Sequence, residues 1–292
     1  MAPSTPVVTK PSPTQEGVNW KPVLLGITVF LVAIFSLAPI LWQLLTSIKT
    51  NADISRIPNV YFPREFTLEH YIQLFDRRPF LRYVLNSAFV AIVSTLLCLG
   101  LGSPAAYALA RLRLKGEQLI LGLVLIVTLF PYILLFLGLL EIVQILGLGN
   151  NYLALIIPYT AINLPLTILV MRSFFQQLPR DLEDAAKVDG YNTVQMLWQI
   201  VLPTTIPALV TTGILAFIFA WNEFIFALTF MTRETMKTIP VAAAQIGGAT
   251  LFEIPYGPIA AATVLGTLPL VLLVLFFQRK IVQGLTAGAV KG

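Results

Sequence analysis

Six long apolar runs organise the chain: residues 23–48, 84–110, 119–140, 152–171, 206–231 and 258–277. Each reaches the roughly 20 residues that an α-helix needs to cross about 30 Å of hydrocarbon. Of 19 basic and 14 acidic residues, only Glu223 falls inside a run. Lipid offers nothing to hydrogen-bond a bare backbone, so runs of this kind cross as helices. The pattern predicts an all-α integral membrane protein with six transmembrane helices, its membrane domain spanning residues 23–283.

Composition sharpens this picture. The chain has 292 residues, 57% of them hydrophobic and 11% charged, against about 25% charged in soluble domains. The formal net charge is +5, but the basic residues are scattered between the runs. That distribution flanks a membrane and does not build a nucleic-acid surface. One cysteine, Cys98, and one histidine, His70, exclude a disulfide framework, a multi-histidine metal site and a Ser/His/Asp or Cys/His catalytic set. An integral-membrane enzyme would need clustered acids or histidines near the interface, and no such motif stands out.

Residues 1–22 carry Pro3, Pro6, Pro11, Pro13 and Pro22 among Ser and Thr, a composition expected to be a disordered tail. The run that follows is too long for the apolar region of a signal peptide, so it reads as a retained anchor. The short basic link Arg111-Leu112-Arg113-Leu114-Lys115, set against the basic-free link around residues 147–151, places both chain ends in the cytoplasm.

The spans carry prolines at Pro39, Pro104, Pro131, Pro158, Pro165 and Pro269. Each removes a backbone donor and favours a kink, and together they suggest a protein that bends as it works. Glu223 is costly in lipid and should face the bundle interior or a cavity. It reads either as a proton relay or substrate ligand, or as a hydrogen-bond anchor between helices. No second acid lies inside a span, which disfavours a proton-coupled pump.

The longest inner connection, residues 178–203, is predicted to be a helix–turn–helix at the membrane surface. Pro179, Asp181, Glu183 and Asp184 suit a helix start. Leu182, Ala185, Ala186 and Val188 give the helix an apolar side. Gly190 permits a sharp turn, and a second helix runs from about Asn192 to Val201, ending before Pro203. A compact acidic knob is repelled by the negative cytoplasmic leaflet and better suits docking into a basic soluble partner.

At this point the residues resemble the inner-loop signature of ABC importer permeases, E-A-A-x3-G-x9-I-x-L-P. Here it reads Asp184-Ala185-Ala186, three residues, Gly190, nine residues, then Ile200-Val201-Leu202-Pro203. Asp184 stands where Glu is usual, which keeps the charge and shortens the reach. The Trp221-Asn222-Glu223-Phe224 stretch and the C-terminal residues 284–292 look like the sugar-importer branch, the maltose-type (MalG-like) permeases. The resemblance implies the type I ABC importer permease fold, with residues 178–203 as a cytoplasmic coupling segment. It implies ATPase docking by Glu183, Asp184, Ala185, Ala186, Asp189, Gly190, Ile200, Leu202 and Pro203. It also implies a heterodimer with a second homologous permease, two ATPase subunits that use ATP and Mg, and an extracytoplasmic solute-binding protein that delivers a sugar. Residues 285–291 of the C-terminal tail, 284–292, could also touch the ATPase.

The chain has no G-x4-G-K-[ST] phosphate loop, so it is expected to bind no cofactor itself and to take its energy from a partner. Sugars are held through hydroxyl hydrogen bonds and aromatic stacking, which nominates Tyr132, Tyr159, Asn163, Trp221, Asn222 and Glu223 along a translocation path. The competing reading is a stand-alone secondary sugar transporter. Its internal repeats and coupling charges are not evident in this sequence. Di- or oligosaccharide, sugar alcohol, glucosylated solute and glycerol phosphate all remain open as cargo.

Overall fold

A computed structural model describes residues 20–247 and 254–289, with side chains described only as far as Lys280. The apolar runs and several of the links between them fold as helices. In chain order these are α1 (Trp20–Ser47), α2 (Glu69–Arg77), α3 (Phe80–Arg111), α4 (Glu117–Leu129), α5 (Phe136–Ile145), α6 (Leu153–Gln177), α7 (Arg180–Val188), α8 (Thr193–Met196), α9 (Ile206–Asn222), α10 (Ile225–Phe230), α11 (Ile239–Ala244) and α12 (Tyr256–Ala289). Among the described residues there is no β-strand, only an isolated antiparallel bridge between Lys49 and Phe66.

Four helices, α1, α3, α6 and α12, are continuous and long enough to cross a membrane. The count reaches six only if two bent pairs are each taken as one crossing. The run 119–140 is broken at Phe130-Pro131, where α4 meets a short 3-10 turn and α5 at a bend of 86°. The run 206–231 also departs from a single helix: α9 ends at Asn222 and α10 starts at Ile225. Of the six prolines expected to kink spans, only Pro131 sits at a break; Pro39, Pro104, Pro158, Pro165 and Pro269 lie within continuous helices.

The sequence boundaries shift accordingly. Helix α1 begins at Trp20, inside the expected tail of residues 1–22, whose first 19 residues lie outside the described ones. The expected boundary at residue 283 is not a break, because the α12 backbone stays helical to Ala289. The last three tail residues, 290–292, lie outside the described ones.

Helices α3, α6 and α9 form the centre of the bundle. Small residues let them approach closely, as membrane helices require without a hydrophobic force between them. A Cβ at Gly102 of α3 would sit 2.6 Å from Thr167 Cγ2 of α6, and the Cys98 sulfur lies 3.0 Å from Thr167 Oγ1. A Cβ at Gly213 of α9 would meet Leu99 of α3 at 3.1 Å. Helix α12 packs on α9, and α1 packs on α12. From Trp20 to Trp42 every residue of α1 is exposed, an apolar surface suited to lipid.

Buried side chains gather in two clusters. One, around Tyr83, Leu155, Trp221, Phe226 and Ala261, fills the middle and one end of the bundle. The other, around Tyr107, Met171, Phe175, Leu197 and Val201, fills the end that carries the 178–203 segment.

At the end away from that segment, α2 is fastened by the buried His70. Its Nε2 lies 2.8 Å from the Lys49 carbonyl, and its ring rests on Gly257 in the first turn of α12. A Cβ on Gly257 would fall 2.3–2.6 Å from three ring atoms. Gly257→Ala is therefore expected to drive His70 from its seat and to destabilise the protein by about 1–3 kcal/mol, the usual scale of overpacking. A thermal melt of the purified protein checks this; an unchanged melting temperature would show that the ring can move aside.

Candidate functional site

The 178–203 segment is built as two short helices around a closed turn. Pro179 caps α7 with an extended backbone, Asp181 and Glu183 lie in the first turn, and Lys187 lies in the last. Those charges complement the helix dipole. Gly190 has φ +81°. Its N–H donates to the Lys187 carbonyl at 3.1 Å, and the Tyr191 N–H donates to the Ala186 carbonyl at 3.0 Å. This is a Schellman closure, in which the left-handed residue is normally glycine. The next helix starts with a capping box: the Gln195 N–H donates to Asn192 Oδ1 at 2.9 Å, and the Asn192 N–H to Gln195 Oε1 at 3.1 Å.

Beyond α8 the structure corrects the expected end before Pro203. The chain passes through a π-helical turn, Leu197–Val201, and a further helical turn, Leu202–Thr204, that contains Pro203. The wider turn accommodates a proline that has no N–H and whose ring presses on the preceding turn. The break comes at Thr205 (φ −101°, ψ 19°), where the chain bends 83° into α9.

One face of α7 is fixed inward. Glu183 and Ala186 are buried, while Asp184, Ala185, Lys187, Val188, Asp189 and Gly190 are exposed. The expected apolar side is thereby corrected for Ala185 and Val188. The buried stripe runs through Leu182, Glu183 and Ala186, and Val188 lies about 200° further round at 3.6 residues per turn. Val188 is 88% exposed and joins the exposed Val194 and Trp198 on the outer surface. Among the residues nominated for docking, Asp184, Ala185, Asp189, Gly190 and Pro203 lie at the surface. Ile200 is half-buried, and Glu183, Ala186 and Leu202 are buried. Asp184 Oδ1 pairs with Lys187 Nζ at 3.0 Å, an exposed pair worth little to stability.

Glu183 turns inward to meet Arg111, the last residue of α3. Nε lies 3.0 Å from Glu183 Oε1, with the two side chains only 6% and 10% exposed. An Arg111 terminal nitrogen also donates to the Leu178 carbonyl at 2.5 Å. Beside it, Arg172 of α6 donates to Glu117 at the start of α4 at 2.7 Å and reaches the Leu109 carbonyl at 3.4 Å.

The residues nominated for a translocation path divide. Tyr159, Asn163, Trp221 and Glu223 are buried, at 1%, 9%, 3% and 6% exposure; Tyr132 is 38% exposed and Asn222 lies at the surface. Glu223 sits in the gap between α9 and α10. Its carboxylate accepts from the Phe226 N–H at 3.0 Å, from the Ala227 N–H at 3.2 Å and from the Tyr159 hydroxyl. It thus satisfies the open start of α10 and ties that start to α6, an arrangement suited to a hydrogen-bond anchor between helices. Asn163 donates to the Tyr159 carbonyl at 2.8 Å. Trp221 donates to the Gly266 carbonyl of α12 at 3.0 Å and stacks on Phe217. Tyr132 stands edge-on to Phe219 and Phe226, with ring centroids 5.4 and 6.2 Å away.

A polar lattice at the far end escaped the sequence reading. Asn86 Nδ2 donates to the Thr235 and Lys237 carbonyls at 3.0 and 2.8 Å, and its Oδ1 accepts from the Tyr152 hydroxyl at 2.7 Å. Asn150, at φ +59°, accepts from the Arg233 N–H at 2.7 Å and donates to Thr232 Oγ1 at 2.9 Å. Glu234 receives hydrogen bonds from Lys237 and the Tyr83 hydroxyl, which hold its carboxyl below the usual range. Burial lowers the Lys49 ammonium from its ordinary value, against the pull of Asp53. The one available sequence signal was Asn86 itself, a polar amide within an apolar run. Among the described residues no grouping of His, Cys, Asp and Glu suits a metal ion.

Residues 99–287 match the protein family described as "Binding-protein-dependent transport system inner membrane component". The chain belongs to that family. It is 42% identical over 266 residues to the sulfoquinovosyl glycerol transport system permease protein SmoH of Agrobacterium fabrum, covering 91% of this chain and 93% of that one. It is 41% identical over 274 residues to the trehalose/maltose transport system permease protein MalG of Thermococcus litoralis, covering 93% and 98%. In fold it resembles a bacterial ABC transporter involved in the import of the acidic polysaccharide alginate, with a TM-score of 0.76 at 22% identity over 94% of this chain and 99% of that one. The chain is thus a membrane-spanning permease subunit of an ABC importer with the type I permease fold. Family membership sets aside the stand-alone secondary transporter. Among the described residues, the 178–203 segment and the Glu223 break stand beside the far-end lattice around Asn86 and Glu234 as places where the helical frame presents chemistry other than packing.

Proposed function

We propose that this permease carries a sugar or sugar-like solute and that residues 178–203 form its cytoplasmic coupling segment, seated in a cleft of an ATPase subunit. The observation that carries the reading is the closed, rigid hairpin at one end of the bundle, with Asp184, Asp189 and Gly190 turned outward and its inner face fixed to α3. A rigid knob transmits displacement, whereas a floppy loop absorbs it. The permease works as one half of a heterodimer with a second permease. Two ATPase subunits hold ATP and Mg and perform the hydrolysis, and this chain binds neither. An extracytoplasmic binding protein presents the solute at the opposite end, and both chain termini lie in the cytoplasm. Closure of the ATPase pair draws the coupling segments together and rocks the helices between inward- and outward-facing states, as rigid-body alternating access requires.

The sugar class is supported by the solutes named for the two relatives, a sulfoquinovosyl glycerol and trehalose/maltose. Tyr132 and Asn222, exposed beside the α9–α10 break, offer an aromatic edge and an amide to such a solute. Uptake by intact cells, with the partner binding protein loaded from a panel of radiolabelled sugars and polyols, tests the reading. Uptake of one class should survive an uncoupler and vanish when the ATPase subunits are deleted. Uptake that persists without them but collapses with the uncoupler would overturn it.

A further inference from the structure

We propose that Arg111 is the joint through which the coupling segment moves the membrane helices, with Glu183 as its partner rather than as a contact to the ATPase. Three helical elements meet at this guanidinium. Arg111 closes α3, its terminal nitrogen reaches the Leu178 carbonyl just past the end of α6, and its Nε faces Glu183 in the first turn of α7. The cation suits the carbonyl end of α6 and the anion suits the start of α7, so each charge also complements a helix dipole. The adjacent Arg172 repeats the arrangement, linking α6 to the end of α3 and to Glu117 of α4. One buried and one half-buried cation thus bind four helices at the end where force is proposed to enter.

Magnitudes favour a positioning role over simple stabilisation. A buried ion pair gains little over a well-packed apolar pair, whereas removing one partner leaves a stranded charge. The Arg111–Glu183 contact is an ion contact without an aligned hydrogen bond, so its contribution to stability is smaller still. What apolar packing cannot reproduce is the charge pairing: one guanidinium donates to the Leu178 carbonyl and lies in ion contact with the Glu183 carboxylate. With the pairing intact, a shift of α7 against α3 pulls two buried opposite charges apart, so α3 is drawn along. Without it, α7 keeps the apolar packing of Ala186 in the cluster around Tyr107 and Phe175, which has no directional bond to stop it sliding. Exposed Asp184 and Gly190 then keep the ATPase seated while its stroke goes unused.

This inference rests on the docking reading, and the test separates the two. The assembled complex is purified in a Cys98→Ser background carrying spin labels at Leu112→Cys, just past α3, and Ile145→Cys, at the far end of α5. The label-to-label distance is measured by pulsed electron paramagnetic resonance without nucleotide and with Mg-ATP and vanadate. The parent complex should show a nucleotide-driven shift. Glu183→Gln and Arg111→Met should keep the ATPase attached yet lose that shift, and the exchanged pair R111E/E183R should restore part of it. A shift of parental size in both single variants would overturn the joint. Loss of the ATPase from Glu183→Gln would also overturn it, by making Glu183 a docking contact. A parent complex that fails to hold its ATPase, or shows no shift, would remove the docking reading and the joint with it.

Discussion

Replacing Glu223 with alanine is expected to yield a permease that no longer assembles, whereas Glu223→Gln should still transport. In the native protein the carboxylate serves three donors at once: the Phe226 and Ala227 N–H groups and the Tyr159 hydroxyl. All three donors belong to buried residues of the bundle. An unsatisfied buried donor costs about 1–3 kcal/mol, so alanine forfeits several kcal/mol, a large share of the 5–15 kcal/mol that holds a typical domain together. Glutamine keeps an acceptor oxygen for the Phe226 N–H, and its amide can donate to the Tyr159 oxygen, which leaves only the Ala227 N–H unpaired at about 1–3 kcal/mol. Tyr159→Phe removes a single donor and should cost less than alanine at Glu223. Size-exclusion profiles and melting temperatures of the solubilised complex, read beside uptake, check the series. A well-assembled Glu223→Ala complex of parental melting temperature would refute the anchor role. A stable but inactive Glu223→Gln complex would place the carboxylate in the solute's path.

Gly190→Val is expected to insert in the membrane at normal levels and to lose its ATPase subunits on purification. The position has φ +81°, and a Cβ there meets nothing within 4 Å. The interior is therefore not disturbed, and the cost falls on the backbone, about 1–2 kcal/mol for an L-residue in the left-handed region and more for a β-branched one. The Schellman closure opens, and Asp189 and the start of α8 swing away from the geometry that, as proposed above, fits the ATPase cleft. Gly190→Asn should do least harm, because asparagine tolerates the left-handed region best among residues with a side chain. Copurification of the ATPase with valine, asparagine and the parent, quantified against the permease, decides the point. Equal recovery in all three would exclude the turn from docking.

The parts legible in the sequence were those set by local chemistry. Apolar runs announced the spans, and Pro179, Gly190 and Asn192 announced the starts and turn of the hairpin, because each acts within a few residues of itself. What the sequence left open depends on partners far away along the chain. Nothing near Glu183 shows that it turns inward to Arg111, and nothing near Trp221 points to the Gly266 carbonyl. Glu223 was legible as an expensive residue, but its use in closing a helix gap was not, since the break between α9 and α10 lies within an apolar run. Val188 was misplaced because an apolar residue in a short helix can face either way, and the inward stripe was set by Glu183 and Ala186. Pro203 reads as a stop in the sequence, but the π-helical turn before it lets the helix continue one turn further.

Helix α1 has one extensive helical neighbour, α12, and the two stand at opposite ends of the chain. A ribosome releases α1 first and α12 last. The neighbour that seats α1 is therefore made only after α3, α6 and α9. A nascent chain stalled before residue 256 would lack α12, and with it the main contact of α1, so the outer wall of the bundle depends on a helix made after its centre.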